Sequence, residues 1–196
     1  MNKLEQYLLD RLRCRPGDRI KFRELTDIHS VPVLLPASGG LTHLQFRRYA
    51  GCPICNVHLR SVAVRYEEIA AAGIYEIAVF HSPAEDMLPH QEALPFTVVA
   101  DPGKELYRAF GVSQSLRAVL HPRAWLTPLR PSAYPVVARG VMKGGRPYPR
   151  SRENVTGLPA DFLLDSDGRV CAVKYGRHAN DQWTVDELLA LAKEST

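Results

Sequence analysis

Apolar positions alternate with polar ones in some stretches of the chain and recur at helical spacing in others. The switches between the two patterns mark its elements. Leu4, Leu8, Leu9 and Leu12 lie on one stripe of an amphipathic helix over residues 2–13, which Arg15-Pro-Gly-Asp18 ends. Residues 31–35 (Val-Pro-Val-Leu-Leu) and Thr42 to Tyr49 read as strands, with the Gly39-Gly40 turn between them. Pro32 has no N–H for a ladder and places the first of these at an edge. From Pro53 the spacing turns helical. Ile54, Val57, His58, Val62, Ile69 and Ala70-Ala-Ala72 predict one long helix stopped by Gly73. Ile74 to Phe80 is a strand, and Ser82-Pro83 opens a helix whose early acids, Glu85 and Asp86, suit the helix dipole. Phe96 to Ala100 is a strand and Gly103 to Phe110 a short helix. Ala160 to Leu164 and Val170 to Tyr175 are strands around the turn Asp165-Ser-Asp-Gly168. Thr184 and Glu187 form a capping box for a last helix, Val185 to Lys193. Strands alternating with helices imply βαβ units and a largely parallel sheet, with the late hairpin adding an antiparallel pair.

One stretch breaks this pattern. Residues 113–159 hold seven of the 15 prolines. They also hold Arg117, Arg123, Arg130, Arg139, Lys143, Arg146, Arg150 and Arg152 against a single acid, Glu153. That composition predicts a long insertion loop, with a short helix at Ser115 to Leu120, in a single domain spanning 1–196. At 45% hydrophobic and 23% charged, the chain has the composition of a globular protein. No apolar run approaches the roughly 18–20 residues that span a membrane, and the charged start lacks the apolar core of a signal peptide. The expected compartment is therefore the cytoplasm. The net charge of +4 is mild, and the basic stretch carries few aromatics, so neither nucleic acid nor a membrane is an expected partner.

Four cysteines are too few for a disulfide scaffold. In a reducing compartment the pair in Gly51-Cys52-Pro53-Ile54-Cys55 points to catalysis or metal binding. The pair sits between a strand and a helix, and Pro53 is well placed in the first turn, where its missing N–H has no helical partner anyway. Cysteine attacks as its thiolate. A partly buried helix N-terminus is worth up to about 2 kcal/mol to an anion, or roughly one unit of pKa. Arg47 or Arg48 adds to this, and strand alternation lets at most one of them face the sulfur. Cys55, one helical turn on, is placed to attack a mixed disulfide or sulfenic acid on Cys52. Zinc is the rival reading, through Cys52, Cys55 and His58, but no second CxxC exists and zinc wants four ligands. Cys171, among apolar strand residues, reads as core, and Cys14 as inert.

Several segments, taken in order, carry a resemblance. They are Pro16-Gly-Asp18, Leu25-Thr-Asp27, Arg48-Tyr-Ala-Gly-Cys-Pro-Ile-Cys55, Ala78-Val-Phe-His-Ser-Pro83, Val99-Ala-Asp-Pro102, Tyr107 to Gly111 and Leu158-Pro-Ala-Asp-Phe-Leu-Leu-Asp165. From about residue 16 to 194 the chain resembles the peroxiredoxin-like (alkyl hydroperoxide reductase / thiol-specific antioxidant) branch of the thioredoxin fold. The resemblance implies a three-layer α/β/α sandwich with a central mixed sheet, an N-terminal extension and the basic Pro/Arg-rich segment as an insertion. It also implies a cofactor-free thiol oxidoreductase. Cys52 attacks a peroxide or disulfide, Cys55 resolves it, and an external thiol such as thioredoxin or glutathione restores the dithiol.

Two places depart from the family. Gln45 and Tyr49 stand where peroxiredoxins carry a proline and a threonine, and Leu158-Pro159-Ala160 stands where they carry an arginine. Pro159 instead resembles the cis-proline that thioredoxins place opposite their CxxC. The supporting residues expected around the dithiol are therefore Tyr49, Gly51, Pro53 and Pro159. His81 reads as a solvated loop residue and Asp161 as an ordinary carboxylate at the start of a strand. Peroxide reduction is the leading expectation. Protein-disulfide reduction is the first alternative, and a non-catalytic binding protein using residues 113–159 the second. Assembly is open, with a homodimer among the options.

Overall fold

In a computed structural model, residues 11–112 and 157–195 are described, with positions 135, 138 and 142 between them. The short helix expected at 115–120 and nearly all of the 113–159 segment lie outside these residues, as does most of the helix expected over 2–13.

Five strands make the central sheet, in the order β5-β4-β3-β6-β7. They are β3 (Leu41–Phe46), β4 (Ile74–Phe80), β5 (Thr97–Ala100), β6 (Ala160–Leu164) and β7 (Val170–Tyr175). β3 pairs parallel with β4, and β4 with β5, as βαβ connections require, while β6 runs antiparallel to both β3 and β7. The β6–β7 turn is built as its sequence implies. Asp165 Oδ1 accepts from the Asp167 and Arg169 N–H groups, and Gly168 takes φ 79°, where a side chain would be strained.

Both faces of the sheet are covered. One face packs on α1 (Pro53–Val64), α2 (Tyr66–Ala71), α3 (Ala84–Gln91) and α5 (Val185–Ser195), burying Leu59, Val62, Ile69, Met87 and Leu188 with Ala78, Phe80 and Leu163 of the strands. The other face buries Leu44, Phe46, Ile77, Val79, Phe162 and Leu164 against α4 (Glu105–Ala109) and Leu35. The result is the thioredoxin-like sandwich that the sequence implied. The outer layer on the second face is α4 together with a two-stranded ribbon of β1 (Arg23–Thr26) and β2 (Pro32–Leu35).

Two elements differ from the sequence reading. β1 carries no strand signal in the sequence because Arg-Glu-Leu-Thr offers little apolar contrast, and the strand is only half covered. The single helix predicted over 53–73 is two, because the chain turns at Arg65 (φ −108°, ψ 18°). The Arg65 guanidinium is anchored by Glu68 and by Asp186 of α5, and the turn still delivers Val62 and Ile69 to one core.

Candidate active site

Cys52 lies at the C-terminal end of β3 as the N-cap of α1, with Pro53 at the start of the helix. Its Sγ accepts the Cys55 N–H at 3.4 Å, one of the helix's unpaired donors. Arg48 Nη2 donates to the same sulfur at 2.9 Å. The 48–52 loop that carries these groups is tied down from three elements. Ser82 Oγ accepts from Ala50 N at 2.8 Å, and the Ala50 carbonyl accepts from Asn56 of α1 and Gln91 of α3, each at 2.8 Å. Tyr107 Oη donates to the Arg47 and Val79 carbonyls from the opposite face.

Both thiols are free and show no exposed surface. Burial alone raises a thiol's pKa, and it is the largest influence on each of these two. Against it, the hydrogen bond from Cys52 and the Arg48 charge draw Cys55 down to about 6, while Cys52 is pushed well above the ordinary thiol value. These are two readings of one event, since neighbouring thiols ionise as a pair. The pair surrenders its first proton easily and its second with difficulty, leaving S–H···S⁻ under Arg48. The convergence of Arg48 and the helix N-terminus on Cys52 Sγ places the shared charge there. A dithiol held this way is one nucleophilic thiolate with a second sulfur one turn away.

Beneath the first turn of α1 lies a closed ring of five buried side chains. The two-residue period of β3 points His43, Gln45 and Arg47 to the α1 side. Register puts Glu76 of β4 opposite His43, and Asp161 of β6 opposite Gln45. Glu76 accepts from His43 Nδ1 at 2.9 Å and from Gln45 Nε2. Arg47 Nη2 donates to Gln45 Oε1 at 2.5 Å and to Asp161 Oδ1 at 2.6 Å, and His43 Nε2 closes the ring 3.4 Å from Asp161. Arg47 Nη2 also donates to His58 Nε2 on α1 at 3.1 Å. Trp183 roofs the ring, with its backbone N–H donating to Asp161 Oδ2 at 3.2 Å and its indole 5.7 Å from the His43 imidazole.

The charge states follow from these contacts. Burial opposes the His43 cation, but Glu76 and Asp161 outweigh it and raise the imidazole to about 9. Burial likewise opposes the Asp161 anion, and Arg47 and His43 overcome it, holding the carboxyl well below the usual range. Burial and the Arg47 charge push His58 well below its ordinary value, so it stays neutral and can accept from Arg47.

A sequence model of the AhpC/TSA antioxidant enzyme family matches residues 61–178, more than half of the chain. The chain belongs to this family. As an AhpC/TSA protein it is a thiol oxidoreductase, and its role is thiol-dependent redox chemistry. The matched stretch begins just after Cys55, so the dithiol itself lies outside it.

Solved structures similar to this AhpC/TSA chain share its fold at low identity. A peroxidoxin, BcpB, from Mycobacterium tuberculosis is 17% identical over 93% of this chain and 98% of its own, with a TM-score of 0.67. Peroxiredoxin Q from Xanthomonas campestris is 16% identical over 89% and 92%, with a TM-score of 0.58. A structure described as the thiol:disulfide interchange protein DsbE, from Chlorobium tepidum, is 18% identical over 91% and 98%, with a TM-score of 0.56. No curated protein sequence matches.

The structure brings together Cys52, Cys55, Gly51, Pro53 and Tyr49; the Arg48 guanidinium lies 5.9 Å above the Tyr49 ring. Of the two arginines, Arg48 faces the sulfur and Arg47 enters the ring. Pro159 lies at the same end of the sheet, because Ala160 pairs with Phe46. The cis-proline expectation fails: among the described residues the one cis peptide bond is Leu35–Pro36. Leu158–Pro159 is trans, and the Pro159 carbonyl accepts the Gly176 N–H at 2.9 Å.

His81 is not solvated. It is buried edge-on to Tyr107, with ring centres 5.7 Å apart, because the β4 end that carries it is covered by α4. Asp161 is not an ordinary carboxylate but a fully buried ring member, since β6 is an interior strand. Cys171 is half-buried on the edge strand β7, packed against the core, and Cys14 is half-buried with its N–H on Tyr175 Oη. Burial raises both thiols, first of all in each case, which keeps them protonated and unreactive. Among the described residues no cluster of three or more His, Cys, Asp or Glu is arranged to hold a metal ion, and His58 is turned to Arg47. No helix among them is long and apolar enough to cross a membrane.

Proposed function

We propose that this protein reduces hydroperoxides through a Cys52/Cys55 dithiol–disulfide cycle. The observation that carries this reading is the pair itself: Cys52 at a helix N-cap under Arg48 at 2.9 Å, with Cys55 one turn away. The Cys52 thiolate attacks the terminal peroxide oxygen and the O–O bond breaks. The leaving alkoxide or hydroxide takes a proton, giving an alcohol or water and Cys52 sulfenic acid. Cys55 sulfur then attacks the Cys52 sulfur. The S–S bond forms as the S–O bond breaks, and the hydroxyl leaves as water with the Cys55 proton. Two electrons from an external dithiol, or from two monothiols, reopen the bond; thioredoxin and glutathione are of the right chemistry, and a cytoplasmic location would supply both. Tyr49, Gly51 and Pro53 support the thiolate by shaping the loop and helix start. The burial of both sulfurs favours a small hydroperoxide over a folded protein disulfide as oxidant.

The test is a stoichiometric peroxide pulse followed by peptide mass spectrometry. The expected product has lost two thiols and two hydrogens within the peptide holding Cys52 and Cys55. Oxidation no faster than that of a free thiol would sink the peroxidase reading. The second reading, thiol–disulfide interchange without peroxidase activity, is favoured by the CxxC spacing and the absence of the family's proline and threonine at Gln45 and Tyr49. It predicts the same disulfide formed by disulfide substrates while peroxide stays inert.

A further inference from the structure

The buried ring is the feature that this chemistry does not use. Its stability is no reason for its existence, because buried ion networks are often no better than apolar packing of the same volume. Its position supplies a reason. Arg47 and Arg48 are adjacent in the chain, one in the ring and the other on Cys52 Sγ. Arg47 also reaches α1 itself through His58, one turn beyond Cys55. We propose that the ring of His43, Glu76, Asp161, Arg47 and Gln45 sets the thiol–disulfide equilibrium of Cys52 and Cys55, its members being positioning residues whose summed charge the dithiol feels. This rests on the redox role proposed for that pair.

The argument is one of charge. Two carboxylates, Glu76 and Asp161, face two cations, Arg47 and the His43 imidazolium, so the ring sums to zero. The disulfide is uncharged. It takes up two electrons and, near neutral pH, one proton to give one thiolate and one thiol. Reduction thus places one negative charge above the ring, and oxidation removes it. A ring with net positive charge favours the reduced pair, and one with net negative charge favours the disulfide. Among the described residues, the other titratable or charged groups around the pair are Arg48, Tyr49 against it, His58 of α1, Tyr107 of α4 and His81 beside it, with Lys174 of β7 acting on His58. None of these changes in the tests below.

His43→Gln leaves the ring at −1, and Glu76→Gln leaves it at +1 where Asp161 alone keeps the His43 proton, which NMR of the ring in that variant establishes before the equilibrium is read; the double variant restores zero. Each is equilibrated with a dithiothreitol redox buffer at pH 7, and the disulfide is counted by alkylation and mass spectrometry. One unit charge about 10 Å away in an effective dielectric of about 20 changes an equilibrium roughly tenfold. For this two-electron couple tenfold is about 30 mV. His43→Gln should shift the balance roughly tenfold toward disulfide, Glu76→Gln roughly tenfold toward dithiol, and the double variant back near the native value. Shifts of the same sign in both single variants, or none beyond about twofold, overturn the proposal.

A measurement on the native protein covers the case in which a variant does not fold. Coupling is reciprocal, so the His43 ring, followed by NMR, must titrate about one unit higher in the reduced than in the oxidised protein. Equal midpoints overturn the proposal as well. If the native chain forms no reversible Cys52–Cys55 disulfide, the redox reading fails first, and that result is distinguishable from failure of the ring.

Discussion

Removing the Arg48 guanidinium isolates the contact that makes the dithiol reactive. Arg48 is buried and donates to Cys52 Sγ at 2.9 Å, and its charge lowers both thiols of the pair. A buried hydrogen bond to a charged group is worth about 1.5–3 kcal/mol. At 1.36 kcal/mol per unit, Arg48→Met should therefore raise the first ionisation of the pair by about one to two units. The sign is fixed, because the lost cation stabilised only the thiolate. Starting from about 6, the midpoint moves to roughly 7–8, and reactivity near pH 6.5 falls with the thiolate fraction. The assay is thiolate absorbance, or the rate of iodoacetamide alkylation, against pH. It is run in a Cys14→Ser, Cys171→Ser background so that only the pair titrates. Arg48→Lys keeps a point charge without the guanidinium's geometry and should fall between the two. A folded Arg48→Met protein whose midpoint moves by less than about a third of a unit would refute the assignment of Arg48 as the thiolate's support.

Cys55→Ser leaves the sulfenic acid on Cys52 unresolved, so excess peroxide should carry Cys52 on to sulfinic acid; mass spectrometry should show two added oxygens and no disulfide. His43 is raised from 6.5 to about 9 on folding, so its contribution to stability is complete below about 6.5 and is lost as pH rises through about 9. Urea midpoints at pH 6 and pH 8.5 in a Cys52→Ser, Cys55→Ser background should therefore fall with pH, and adding His43→Gln should remove most of that slope between them. Gly176→Ala would put a methyl 2.6 Å from the Asp181 carbonyl oxygen and 2.7 Å from Pro159 Cγ. Overpacking of that kind costs about 1–3 kcal/mol, and the Tm should drop by several degrees; an unchanged Tm would show that the Pro159 contact is loose.

Local chemistry carried much of this structure into the sequence. A strand, then Gly-Cys-Pro-Ile-Cys, then helical spacing places Cys52 at an N-cap, and Asp165 to Gly168 specifies its own turn. What escaped were facts about which strands are neighbours. Nothing in the strand pattern of Thr42 to Tyr49 marks the polar residues His43, Gln45 and Arg47 as buried, since alternation in a half-covered sheet puts polar residues in water. They are buried because β3 is the central strand and both its faces are covered. Their partners lie 31 residues away at Glu76 and 114 away at Asp161, and no local signal marks either pairing. Pro159 misled for the opposite reason. Its place beside a CxxC resembles that of a cis-proline, but the bond before it is trans, and its carbonyl partner Gly176 is brought near only by the fold.

The two arginines show how much depends on register. Arg47 continues the inward alternation of His43 and Gln45, and Arg48, the next residue, turns to the Cys52 sulfur. A strand has a period of two, so a slip of one residue would exchange their surroundings. Arg48 would then meet Asp161 and form a neutral pair remote from the sulfur. Arg47 would face the dithiol while His43 and Gln45 moved among Phe162 and Leu164, where no carboxylate waits for them. The hydrogen bonds of the ring therefore do more than satisfy buried groups. They penalise a one-residue slip of β3, and so fix which arginine the thiolate meets. The same five side chains that hold their own charge at zero thereby determine that a single cation, Arg48, meets the Cys52 sulfur.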